Sequence, residues 1–73
     1  MDRKMLLEHL AIAERNVAQG ERHLEHQRGL IEELRRDGHD THKAEELLLT
    51  FEESQALHIA DLDRIRAELA QSG

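Results

Sequence analysis

The chain contains no cysteine, proline, tryptophan or tyrosine, and its only aromatic residue is Phe51. Without cysteine, a disulfide scaffold and any cysteine-based zinc or redox site are excluded. The longest run of large aliphatic residues is Leu47–Leu49, far short of the ~20 residues that span a membrane. Glu8 and His9 interrupt the N-terminal segment too early for the apolar core of a signal peptide. These absences predict a soluble, cytoplasmic protein that makes no contact with a membrane.

Side chains suited to catalysis are also scarce. The chain has no glycine-rich phosphate loop, and neighbouring acids such as Glu32 and Glu33 point apart on a helix. Two helices alone offer no concave pocket of the ~300 Å³ or more that a small-molecule site usually needs. The hydroxyl groups are restricted to Thr41, Thr50, Ser54 and Ser72. We therefore predict no enzymatic activity and no cofactor.

The residues that are present favour helices. Leu, Ala, Glu and Arg are frequent, and charged residues make up 36 % of the chain, with 16 acidic against 10 basic side chains. One short segment, Asp37–Thr41, separates two long segments. The sequence predicts an all-α single domain over residues 1–73, with helices at about 2–36 and 41–71 and a turn near 37–40.

The turn contains the residue types that end one helix and begin another. Gly38 suits the left-handed position just past a helix end, and Arg35 and Arg36 complement the exposed carbonyls of the last turn. Either Asp40 or Thr41 can cap the second helix, and the sequence does not choose between them. This arrangement predicts a long antiparallel helical hairpin.

Apolar residues recur with alternating spacings of four and three along both helices. A sustained 3.5-residue repeat keeps one side of each helix, here called the seam, against a partner helix. The spacing therefore predicts coiled-coil-like packing. The apolar seam residues are Leu6, Leu10, Ala13, Val17, Leu24, Ile31 and Leu34 in the first helix, and Leu48, Phe51, Leu62, Ile65 and Leu69 in the second.

Three polar residues, Gln27, Gln55 and His58, also occupy seam positions. We expect a buried polar layer whose hydrogen bonds fix the register of the helices. The alternative for His58 is a pH switch, because protonating a buried imidazole opposes association unless a carboxylate is close. Folding back near Gly38 is expected to place Gly20 opposite His58, so that the missing side chain leaves room for the ring.

The apolar stripe is wider than the seam. Leu7, Leu30, Leu47 and Ile59 flank it on both helices, beyond what one partner helix covers. Leaving so long an apolar face in water is unusual for a monomer. We therefore expect two hairpins to pair as a homodimeric four-helix bundle, with a parallel or an antiparallel arrangement left open.

Six histidines raise the question of a metal site. His23 and His26 are three residues apart, as are His39 and His42. Carboxylate-bridged sites in bundles use Glu-x-x-His, and zinc-binding helices use His-Glu-x-x-His. Because the chain contains neither pattern, we predict no metal centre, and a histidine-dependent metal carrier is a remote alternative.

A row of arginines on the outside of the first helix is the candidate surface for RNA or for a protein partner. The net charge of -6, the interleaved glutamates and the absence of stacking aromatics argue against nucleic acid. The ordinary interpretation is a solvated face with weak ion pairs. The arginines are Arg15, Arg22, Arg28, Arg35 and Arg36.

Three short segments carry a family resemblance. The segments His9–His23, Asp37–Thr41 and Leu48–Glu53 resemble short uncharacterised helical-hairpin proteins of α-proteobacteria, a group that brings no function with it. In architecture alone, the chain is similar to the Rop family of plasmid copy-number proteins, hairpin dimers that bind paired RNA loops, although it contains no Rop motif.

The sequence thus predicts a non-enzymatic interaction or regulatory module that self-associates through its seam and meets an unidentified protein partner. A Rop-like RNA-binding dimer that uses the arginines of the first helix is the alternative.

Overall fold

The computed structural model describes residues 2–72 and consists of two α-helices joined by a short turn. Helix α1 extends over Arg3–Arg36 and helix α2 over His42–Ser72. The helices pack against each other along a molecule that measures 54 × 14 × 13 Å. The predicted all-α hairpin is confirmed, and each helix end lies within one residue of the expected position. Within the described residues, neither helix is both long enough and apolar enough to cross a bilayer.

Helix α1 ends in a Schellman motif. The amide of His39 donates to the carbonyl of Leu34 at 2.8 Å, and the amide of Gly38 donates to the carbonyl of Arg35 at 3.1 Å. Gly38 has φ +77°, a left-handed conformation that glycine adopts without a steric penalty. The chain therefore reverses at the glycine that the sequence indicated.

Asp40 and Thr41 share the start of α2. The carboxylate of Asp40 accepts a hydrogen bond from the amide of His42 at 3.0 Å. The carbonyl of Thr41 accepts from the amide of Glu45 at 2.9 Å, and its hydroxyl donates to the Glu45 carboxylate at 3.1 Å. Both candidate caps thus contribute, one through its side chain and the other through its carbonyl and hydroxyl.

The apolar seam residues lie in the contact between the helices. Those farthest from the turn form one cluster, in which Leu6, Ala13, Leu62 and Ile65 are buried and Leu10, Val17 and Leu69 are half-buried. Toward the turn the contact continues through buried Leu24 and Ile31 and half-buried Leu34, Leu48 and Phe51.

Candidate interaction surface

Two long faces border the seam, and one of them is joined by ion pairs between the helices. This ion-paired face is formed by residues that each come directly after a seam residue in the sequence. They are Leu7, Glu14, Glu21, Arg28 and Arg35 of α1, and Glu45, Glu52, Ile59 and Arg66 of α2. Three ion pairs connect α1 to α2 across it: Arg28–Glu52 at 3.8 Å, Arg35–Glu45 at 3.1 Å and Glu14–Arg66 at 3.7 Å.

The ion pairs are exposed to solvent, so each contributes little to stability, on the order of 0.5 kcal/mol. Their positions are more informative than their strength. All three join flanking positions of the same type in the repeat, which is the pairing that an antiparallel arrangement produces. Together they mark a single register, because each pair requires its two residues to lie at the same level along the hairpin.

The other side of the seam lacks this charge. Here the flanking positions carry no acidic, lysine or arginine side chain from Met5 to Leu30 of α1, nor from Leu47 to Leu57 of α2. We call this the neutral face. It consists of Met5, His9, Ile12, Asn16, Gln19, His23, His26 and Leu30 of α1, and of Leu47, Thr50, Ser54 and Leu57 of α2.

Two glutamines of the predicted polar layer connect the helices reciprocally. The side-chain amide of Gln27 donates to the carbonyl of Ala44 at 2.9 Å, and that of Gln55 donates to the carbonyl of Val17 at 2.9 Å. Gln27 and Gln55 are only 4 % and 5 % exposed, so water does not compete for these bonds. Each is worth about 1 kcal/mol, and both depend on the same register.

Gly20 makes room for Gln55, not for His58 as the sequence led us to expect. A Cβ atom built on Gly20 would overlap the side-chain oxygen of Gln55. The reason is the reach of the glutamine, whose side chain crosses the seam over Gly20 to meet the Val17 carbonyl. His58 is half-buried beside it, on the side of the neutral face.

A small pocket opens on the neutral face near the middle of the hairpin. Its volume is about 80 Å³, below the ~300 Å³ of typical small-molecule sites. The rim is polar and uncharged, and includes Asn16, Gln19, Ser54 and His58. The side-chain oxygen of Gln55 is buried against Gly20, and no donor among the described residues reaches it. An unpaired buried acceptor costs about 1–3 kcal/mol.

Aromatic and charged contacts surround this pocket. The rings of His23 and Phe51 lie 5.7 Å apart and are tilted by 34°, within the range of favourable ring pairs. Toward the open end, Arg64 donates to the carboxylates of Asp61 and Glu68. The hydrogen bond to Asp61 is the main reason that the pKa of Arg64 is raised. Asp61, Arg64 and Glu68 thus continue the same side of the seam beyond Leu57, and they pair with one another.

Large apolar side chains are exposed on both faces but unequally. Five lie on the neutral face and three on the ion-paired side. On the neutral face, the exposed fractions are 48 % for Met5, 52 % for Ile12, 39 % for Leu30, 44 % for Leu47 and 72 % for Leu57. On the other side they are 47 % for Leu7, 60 % for Leu49 and 42 % for Ile59.

The five arginines singled out from the sequence do not share one environment. Arg28 and Arg35 are held in ion pairs with α2. Arg15, Arg22 and Arg36 are exposed on the outside of α1, and within residues 2–72 none of them takes part in an ion pair. Arg28 and Arg35 thus differ from the other three arginines in being paired with α2.

The histidines are dispersed along the molecule. His42 lies 2.9 Å from the carboxylate of Glu46, His23 contacts Phe51, and His58 borders the pocket. In the part of the chain that the structure describes, no group of three or more histidine, aspartate or glutamate side chains is arranged to hold a metal ion.

No protein-family model, curated protein or solved structure matches this chain.

Proposed function

We propose that the protein is a small, non-enzymatic, cytoplasmic interaction or regulatory module that acts as a homodimer, with two hairpins packed as a four-helix bundle. The observation that carries this proposal is the exposure of the apolar residues beside the seam. Leu30 and Leu47, which both lie on the neutral face, are 39 % and 44 % exposed. Covering such side chains gains ~25 cal/mol for each Å² of apolar area removed from water.

The small core of the single hairpin supports the same conclusion. Among the described residues, six apolar side chains are buried: Leu6, Ala13, Leu24, Ile31, Leu62 and Ile65. Chains below ~70–80 residues rarely obtain more than 3–5 kcal/mol from one core, and oligomerisation is a common remedy. With no cysteine available for a disulfide, a second copy supplies the missing burial.

Sedimentation equilibrium over a hundredfold range of protein concentration tests the proposal. We expect a species of twice the 8.5 kDa chain mass that dissociates on dilution, with a parallel loss of helical circular dichroism because the isolated hairpin is less stable. A monomer at every concentration would contradict self-association.

A Rop-like RNA-binding dimer is the second candidate, and the exposed Arg15, Arg22 and Arg36 are the observation that favours it. Filter binding of total cellular RNA at two salt concentrations separates the two functions. RNA binding that weakens steeply with salt and is lost in the Arg15→Ala/Arg22→Ala variant would favour the RNA-binding function. The matched control is Arg28→Ala/Arg35→Ala, which removes equal charge from arginines already paired with α2.

A further inference from the structure

We infer that the second copy docks on the neutral face and leaves the ion-paired face in water. This inference rests on the proposed self-association and adds to it the docking surface and its centre.

Charge is the first reason. In a chain with 36 % charged residues, the neutral face carries no acid, lysine or arginine from Met5 to Leu30 of α1 or from Leu47 to Leu57 of α2. The three charged residues that follow on the same side of α2, Asp61, Arg64 and Glu68, pair with one another. On the opposite side, Glu21, Arg28 and Glu52 would have to lose water if a partner covered them. Removing charged groups from water costs several kcal/mol for each ion unless a new partner compensates. A covering hairpin therefore meets a much smaller penalty on the neutral face.

Area is the second reason. The hairpin presents a face of about 54 by 14 Å, which is comparable to the ~800 Å² that each partner buries in a standard stable interface. Five of the eight large apolar side chains that are exposed on the described residues lie on this face. A second hairpin of the same length covers all five.

The pocket supplies the third reason, and it points to a second copy of this chain. The α1 residues that line it lie between positions 16 and 23, at the middle of α1. Ile12 lies about 11 Å to one side of their centre and Leu30 about 16 Å to the other, at a rise of ~1.5 Å per residue. The order apolar, polar, apolar is therefore the same in both directions along α1. A twofold axis at the pocket places each copy's Ile12 against the other's Leu30, and pocket against pocket.

The decisive experiment compares two matched substitutions on α2. Leu47 and Ile59 are 44 % and 42 % exposed, but Leu47 lies on the neutral face and Ile59 on the ion-paired face beside Glu21 and Arg28. We expect Leu47→Glu to raise the dimer dissociation constant about tenfold or more, and Ile59→Glu to change it less than about threefold, because only the first charge is buried by the partner.

A second matched pair guards against variants that fail to fold. Leu57 and Leu49 are 72 % and 60 % exposed, so a glutamate at either position leaves the hairpin itself intact. Leu57 lies on the neutral face, whereas Leu49 borders Arg35 and Glu45. We expect Leu57→Glu, but not Leu49→Glu, to weaken dimerisation.

The outcomes distinguish this inference from the proposed function. A monomeric wild-type protein overturns both. If the wild-type protein is a dimer and is weakened by Ile59→Glu and Leu49→Glu, or equally by all four variants, docking on the neutral face is wrong. Self-association would still hold.

The axis at the pocket has its own test. Because the chain has no native cysteine, His39→Cys in the turn accepts a single spin label. An axis across the hairpin puts the two turns at opposite ends, so pulsed electron resonance should report a distance close to the 54 Å length of the molecule. A short distance between the labels would overturn this arrangement.

Discussion

The two faces beside the seam lie on the same pair of helices yet differ in every interaction that they make. The ion-paired face is cross-linked by three arginine–glutamate pairs, whereas the neutral face carries amides, histidines and most of the exposed apolar area. The first face is cross-linked within one hairpin. The second leaves five of the eight large apolar side chains that are exposed on the described residues uncovered, which is the pattern expected of an interface.

The seam between the two faces shows how register is specified. Apolar residues repeated every three or four positions tolerate a slip of one helical turn. The reciprocal bonds of Gln27 and Gln55 and the three ion pairs do not, because each needs one partner at one level. Apolar residues therefore provide the buried area, and polar residues determine which of several registers with similar buried area forms.

Truncating matched apolar residues sharpens the comparison without adding charge. Leu47→Ala should lower the free energy of unfolding of the dimer by about 2–3 kcal/mol, as a buried leucine does, and Ile59→Ala by about 1 kcal/mol. Urea unfolding at a protein concentration well above the dissociation constant measures both. Equal losses would mean that neither face is covered more than the other.

Two glycines of α1 test the polar contact beneath the neutral face. A Cβ atom added to Gly29 would meet no neighbour within 4 Å, so Gly29→Ala should stabilise the helix by about 1 kcal/mol. Gly20→Ala gains the same helix propensity but displaces Gln55 from the Val17 carbonyl, so the net change should be close to zero. Thermal unfolding measures the stability of both variants. Equal stabilisation would show that the hydrogen bond from Gln55 to the Val17 carbonyl contributes nothing.

The ion-paired face should respond least. Arg35→Ala removes the 3.1 Å pair with Glu45, and we expect a loss of about 0.5 kcal/mol at low salt that disappears in about 1 M salt, where exposed pairs are screened. Urea unfolding at the two salt concentrations measures it. A loss that persists at high salt would indicate that the arginine acts through packing.

Much of the fold could be predicted because its causes are local. The 3.5-residue repeat and Gly38 are sufficient for two helices, a turn and a seam. The position of Gln55 could not be predicted, because a repeat assigns residues to a side of a helix but does not specify how far a long side chain reaches. The neutral face could have been predicted from the sequence, because a comparison of the charged residues on the two sides of the seam identifies it. The ion pairs of Arg28 and Arg35 could not be predicted from the sequence of α1 alone, because their partners, Glu52 and Glu45, belong to α2.

The location of the apolar cluster has a consequence for how the chain folds. Leu6 and Ala13 pack against Leu62 and Ile65 at the end farthest from the turn, so the best-packed contacts join residues that are remote in sequence. Contacts near Gly38 join residues that are close in sequence, whereas the entropy of closing the long loop is lost before the cluster forms. The hairpin should therefore close cooperatively, with a single kinetic phase, instead of zipping gradually from the turn.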